Sequence, residues 1–376
     1  MSERNRVYEL DWLRVLLIFA VFMHHVLMPF NGDDWHIMNT ESSKFLDDIM
    51  VYFEQFRLPS LFFIAGAGSY LLLSKVAAKK FLKDKFFRLL IPFVVGMVLI
   101  VPPQTYFEDP NAFDSFWQAF PAMAFRFEPN HLWFIEFLVV FSLLALPLFK
   151  LTQSDFFDKS FRRFESFSMR PLGLFSWVFS LIALRVLLKW FIDDDGHSVT
   201  NLSLSLFYLW FFVSGMWMIK SSKIWAKLLS HRKPHLICLV VSTLLFYGYY
   251  YSPDLSPYLS LNMRWAIWWM VCSLVAWSAL LTLLGYGQKY FYSRPRWLKL
   301  TNELIYPFYI FHQTVIVVIG YFVIQLSWPL SLKAVLLLCS TFTVTAGLCL
   351  LLVYPFNWMR YLFGLKKKRD SGGAIT

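Results

Sequence analysis

Five ionisable side chains lie inside long apolar stretches of this chain, away from the charges at their ends: His24, His25, Glu136, Arg185 and His312. Such groups are costly in hydrocarbon, so each is a functional candidate by default. Histidine suits proton transfer, because its pKa lies near neutrality and either ring nitrogen can serve. His25 falls eleven residues after Arg14, about 16 Å along a helix, and His312 lies about 12 Å past Leu304 by the same rise. With Arg14 and Leu304 marking one membrane face, two histidines on different helices reach similar depth, near the middle of a core about 30 Å thick. Neighbouring residues on a helix point about 100° apart, so His24 and His25 are not expected to share a cavity. The plain structural alternative is that these rings hydrogen-bond between helices and hold a bundle together.

The other candidates are mixed. Glu136 and Arg185 read as an ion pair tying two helices, or as the lining of a cavity. Glu303, beside Asn302, stands at the edge of the ninth apolar stretch, where a solvated cap is the plain reading. His131 and Trp133 begin the fourth stretch, and Trp35 and His36 sit in an acidic loop with Asp33, Asp34, Glu41, Asp47, Asp48 and Glu54. Lys85 and Arg88, three apart, share a helix face, and Pro92 follows them and weakens the helix ladder. Cys238, Cys272, Cys339 and Cys349 lie in apolar blocks without metal-type or disulfide-type spacing.

The elements that must position these residues are membrane helices. Of 376 residues, 58% are hydrophobic, 20% aromatic and only 16% charged, which excludes disorder and an ordinary soluble domain. The apolar residues fall in ten stretches near 15–30, 58–74, 87–106, 132–149, 172–191, 203–219, 235–252, 264–284, 304–325 and 330–354, each close to the length that crosses a bilayer as helix. The hydrophilic segments alternate: 28 Lys and Arg lie in one alternating set and 6 in the other, with Arg185 inside a span. By the positive-inside rule this predicts an all-α polytopic membrane protein of about ten transmembrane helices, with N and C termini cytoplasmic. The first stretch lacks a small-residue cleavage site and reads as a retained anchor. The net charge of +11 is thereby assigned to topology, and no nucleic acid partner is implied.

Tyr8-Glu-Leu-Asp-Trp-Leu-Arg14 with His25 eleven residues on, Leu58-Pro-Ser-Leu-Phe-Phe-Ile-Ala-Gly66, Lys85-Phe-Phe-Arg88 before Pro92, His131-Leu-Trp-Phe134 and Asn302 to Gln313 form an ordered set. Together they resemble the acyltransferase type 3 family of integral membrane proteins. Ala65 stands where a serine is common there, and Lys85 replaces an arginine, exchanging a bidentate fork for a point charge. The Trp35-His36 loop and the His-Leu-Trp-Phe segment are most similar to the glucans biosynthesis protein C branch, associated with succinylation of periplasmic glucans.

The resemblance implies one transmembrane domain over residues 1–360 and a basic cytoplasmic tail over 361–376, in the bacterial inner membrane. It implies transfer of an acyl group from cytoplasmic acyl-CoA, a co-substrate and not a resident cofactor, to a hydroxyl of a carbohydrate or glycolipid beyond the bilayer. No metal is implied. His25 is then the general base, or a nucleophile that passes through an acyl-histidine. His312 orients the acceptor, shares the proton or supports the fold. Arg14, Lys85 and Arg88 hold the donor phosphates, while His36, His131, Glu136, Arg185 and Glu303 serve the acceptor or the structure. A proton-coupled secondary transporter and a non-catalytic membrane sensor are the competing classes.

Overall fold

The computed structural model describes residues 7–191, 196–293 and 295–368. Asp193 in the loop after the fifth apolar stretch, and the last eight residues of the 361–376 tail, lie outside the described residues.

Fourteen helices and four single 3-10 turns account for the regular structure among the described residues, with no strand: α1 Tyr8–Leu27, α2 Lys44–Leu73, α3 Ala78–Glu108, α4 Phe116–Ala124, α5 Trp133–Leu151, α6 Asp155–Ser168, α7 Val178–Phe191, α8 Leu202–Lys220, α9 Ser222–Ser230, α10 Arg232–Tyr250, α11 Leu261–Tyr290, α12 Arg296–Val323, α13 Leu330–Val353 and α14 Asn357–Leu362. The protein is an all-α polytopic membrane protein. Eight helical segments are long and apolar enough to cross a bilayer: those containing α1, α2, α3, α5, α8, α11, α12 and α13. The expected fifth span holds only the shorter apolar stretch Phe175–Leu188. The expected seventh is α10, a 19-residue helix whose first turn carries Arg232, Lys233 and His235. Outward-facing side chains such as Leu351 (77% exposed) and Leu244 (70%) would be a liability in water and are at home against lipid.

Helices extend beyond the apolar windows. The loop expected over 31–57 is helical from Lys44, because Lys44 pairs with Asp47 and Asp48 at i+3 and i+4 (both 2.7 Å) and steadies a polar first turn. The hydrophilic segments 150–171 and 220–234 hold α6 and α9, capped at their N-termini by Ser154 and Ser221, whose hydroxyls accept from Phe157 N and Ile224 N. α3 is continuous but holds two π-helical turns, Phe86–Leu90 and Gly96–Ile100, each followed closely by proline (Pro92, then Pro102 and Pro103). Proline cannot donate to the ladder and crowds the preceding turn, and a wider turn relieves both.

The chain divides into two compact units. The first comprises the described residues of 7–17, 51–81 and 140–298. Here α2 and α8 cross at two glycines: a Cβ on Gly66 would lie 1.9 Å from the Phe212 carbonyl oxygen, and one on Gly215 would lie 2.1 Å from that of Phe63. Small residues at a crossing let membrane helices approach backbone to backbone. Lys220 ties α8 to the α6 region, donating to Thr152 O (2.7 Å) and Asp158 (2.9 Å).

The second unit comprises 18–50, 82–139 and the described residues from 299 onward, and it carries α12 as its spine. Thr314 of α12 donates to the Ile100 carbonyl (2.8 Å) in the second π-turn of α3. The described part of the expected tail is packed: Phe363 stacks on Phe311 (centroids 4.7 Å apart), and Gly364 turns with φ 74° against the Arg88 carbonyl.

Candidate active site

The second unit gathers four histidines from four segments. His25 lies in the last turn of α1, His36 in the loop after it, His131 in the Asn130–Leu132 turn before α5, and His312 in mid α12. Nε2 of His312 is 3.1 Å from Nδ1 of His25. Nδ1 of His312 faces the carbonyl of Tyr309 on its own helix. A carbonyl can only accept, so Nδ1 of His312 carries a proton. In the neutral ring Nε2 is then a lone pair, which requires His25 to donate from Nδ1. The lone pair of neutral His25 therefore resides on Nε2, which makes that atom the basic end of the pair. His312 is buried, and Trp35 lies over the His25 ring (centroids 6.2 Å, planes 29° apart).

Tyr309 clamps a third ring. Its hydroxyl donates to the backbone carbonyl of His131, while Nε2–H of His131 donates to the Ile310 carbonyl (3.0 Å). The His131 and His312 rings stand nearly perpendicular with centroids 5.4 Å apart. Asn130 takes a left-handed backbone (φ 43°), which asparagine tolerates better than most residues, and thereby sets the turn that aims His131.

A second polar layer surrounds His36. Its Nδ1 meets the Glu108 carboxylate, and its Nε2 receives the amides of Gln313 (2.9 Å) and Gln104 (3.2 Å). Gln313 also donates to Asn130 Oδ1 (3.2 Å). Glu108, Gln104, Gln313 and Asn130 thus join the site, although none was singled out by residue type. Gln104 and Gln313 are neutral amides in apolar helices and escape a search restricted to ionisable groups. A scan for any polar side chain in a span finds both.

Other expected residues are distributed differently. His24 stands edge-on to His25, with centroids 5.6 Å apart. Lys85 and Arg88 lie at the start of the first π-turn of α3, sixteen residues before Gln104 from Arg88, or about 24 Å of helix. Arg14 belongs to the first unit, 3.7 Å from Asp11. Arg185 is also in the first unit, its guanidinium between the rings of Phe207 and Trp269 (4.1 and 3.7 Å to the centroids), whereas Glu136 lies on α5 in the second. Glu303 is not a solvated cap: it pairs with Arg360, which is buried and also donates to Lys366 O and Tyr354 O.

The acyltransferase domain family matches residues 7–354. The chain belongs to that family. It is similar to glucans biosynthesis protein C of Escherichia coli (strain K12) and of Shigella dysenteriae serotype 1 (strain Sd197), in each case 25% identical over 223 residues, 56% of this chain and 57% of the relative. The chain thus matches little more than half the length of these curated relatives. No solved structure matches. Family membership directs the chemical reading toward acyl transfer.

Proposed function

We propose that this family member is an O-acyltransferase of the bacterial inner membrane. It moves an acyl group from cytoplasmic acyl-CoA to a hydroxyl of an extracytoplasmic carbohydrate; the relatives' name points to a glucan as that carbohydrate, and succinyl is the acyl group that the motif resemblance implies. The observation that carries the reading is the His25–His312 pair. Its hydrogen-bond direction leaves Nε2 of His25 able to take the proton of an attacking hydroxyl. The alkoxide oxygen bonds to the thioester carbon and the carbonyl becomes an oxyanion. Collapse breaks the carbon–sulfur bond, and the thiolate takes the proton back from His25. The products are an ester and free CoA, with no net change in the histidines. Neutral His312 accepts from His25 Nδ1 throughout and holds the ring while it is cationic.

In this reading the termini are cytoplasmic, and Lys85 and Arg88 of the second unit face the donor phosphates as cations suited to oxyanions. The Glu108 end of α3, with His36, faces the acceptor side. Acyl-CoA turnover by detergent-purified protein, paired with mass spectrometry of envelope carbohydrates with and without the gene, tests it. A succinyl increment that disappears with the gene and with His25→Ala is the expected result. Proton-coupled solute uptake with no acyl-CoA consumed would overturn it in favour of a transporter.

A further inference from the structure

Two enclosed atoms of the second unit lack a hydrogen-bond donor. Gln104 is fully buried; its amide nitrogen is committed to His36 and its Oε1 has no partner. His131 is 5% exposed; its Nε2–H is committed to the Ile310 carbonyl and its Nδ1 has no partner. With His36 neutral, its Nδ1 proton goes to Glu108 and its one Nε2 lone pair takes the Gln313 and Gln104 amides in a three-centre bond, which turns Gln104 Oε1 away from His36. Both orphans are therefore acceptors. An unsatisfied buried acceptor costs about 1–3 kcal/mol and calls for an occupant.

The two belong to one network: Gln104 bonds His36, His36 bonds Gln313, and Gln313 bonds Asn130, the residue before His131. The His131 ring in turn stands against His312, partner of His25. We infer that Gln104 Oε1 and His131 Nδ1 form a hydroxyl-binding wall of an acceptor subsite that takes a neutral polyhydroxylated ligand, a sugar ring presenting two hydroxyl protons. This rests on the acyl-transfer reading and specifies its acceptor side. The chemistry excludes the other groups that the two substrates bring. A phosphate or carboxylate brings only lone pairs and is repelled by two acceptors. A thioester carbonyl needs donors, and an acyl chain satisfies neither atom. Glu108 and His36, each partly exposed, continue the polar column away from the histidine pair and give a hydroxylated ligand a path of exchangeable hydrogen bonds.

The test is a cycle between protein and acceptor. Acyl-CoA turnover is measured with a glucose oligosaccharide and with its monodeoxy analogues as acceptors, using the full-length protein, Gln104→Met and His131→Asn. In the unsubstituted protein at least two deoxy positions should each raise the acceptor KM about tenfold, the size of one lost hydrogen bond in a buried site. In Gln104→Met one of those penalties should vanish while the other persists, with the donor KM unchanged. His131→Asn should erase the other. A merely structural role lowers activity with every acceptor alike. Equal deoxy penalties in all three proteins would overturn the subsite, leaving a solvent-filled space, while acyl transfer itself stands. Absence of acyl-CoA turnover by the unsubstituted protein with any of these sugars would overturn the acyl-transfer reading and the subsite with it.

Discussion

His312→Ala probes whether the histidine pair acts as a unit. The substitution removes the acceptor 3.1 Å from His25 Nδ1 and the side-chain donor to the Tyr309 carbonyl, in a place that is almost wholly buried. Leaving His25 Nδ1–H without its acceptor forfeits orientation worth about 1–3 kcal/mol, which converts to a kcat lower by roughly 5- to 150-fold. Removal of the base itself in His25→Ala should cost about 10²–10⁴-fold. Because His312 acts only through His25, the double variant should be no slower than His25→Ala alone, as expected for residues that work as one device. The assay is steady-state acyl-CoA turnover per mole of monodisperse protein in detergent, with both substrates varied. Each KM should change little, since neither ring is assigned to ground-state binding. Losses that multiply in the double variant would refute the reasoning, because His312 would then contribute by a route that bypasses the 3.1 Å contact.

Arg88→Ala should raise the donor KM more than it lowers kcat; an unchanged donor KM in a folded variant would assign Arg88 to topology alone. Gly66→Ala forces a methyl to within 1.9 Å of the Phe212 carbonyl oxygen, where backbone must move, and should destabilise by about 1–3 kcal/mol, read as a lower Tm in detergent. Glu303→Ala leaves Arg360 buried without its carboxylate and should cost about 3–5 kcal/mol by the same measurement; replacing Arg360 by methionine in that background should recover part of the loss. Reporter fusions at Asp193, outside the described residues, and at Lys227 should report opposite sides of the membrane, with Asp193 extracytoplasmic. Both on one side would remove the predicted topology.

What the sequence by itself determined follows from quantities that are local along the chain. Apolar runs of bilayer length are additive in transfer free energy, so the membrane class and the positions of the helices were legible, as was the family from five ordered motifs. Helix rise converts residue number into depth, and for His25 and His312 that sufficed to single out two residues that the structure brings into contact. Apolar windows alone fell short where polar residues support a helix by their own i+3 and i+4 pairs, as Lys44 does with Asp47 and Asp48, because such pairs add nothing to hydropathy. Local reasoning failed for Glu303, whose partner Arg360 lies 57 residues away along the chain. Only the tertiary structure decided which atoms of the histidines face one another. The Tyr309 carbonyl fixes the proton on His312 Nδ1, and that choice passes through the contact to leave the lone pair on His25 Nε2. Gln104 and His131 acquired their orphaned acceptors in the same way, because each donor was claimed by a residue distant in sequence. A residue's type sets what it can donate or accept, whereas packing alone assigns which of those capacities is already spent.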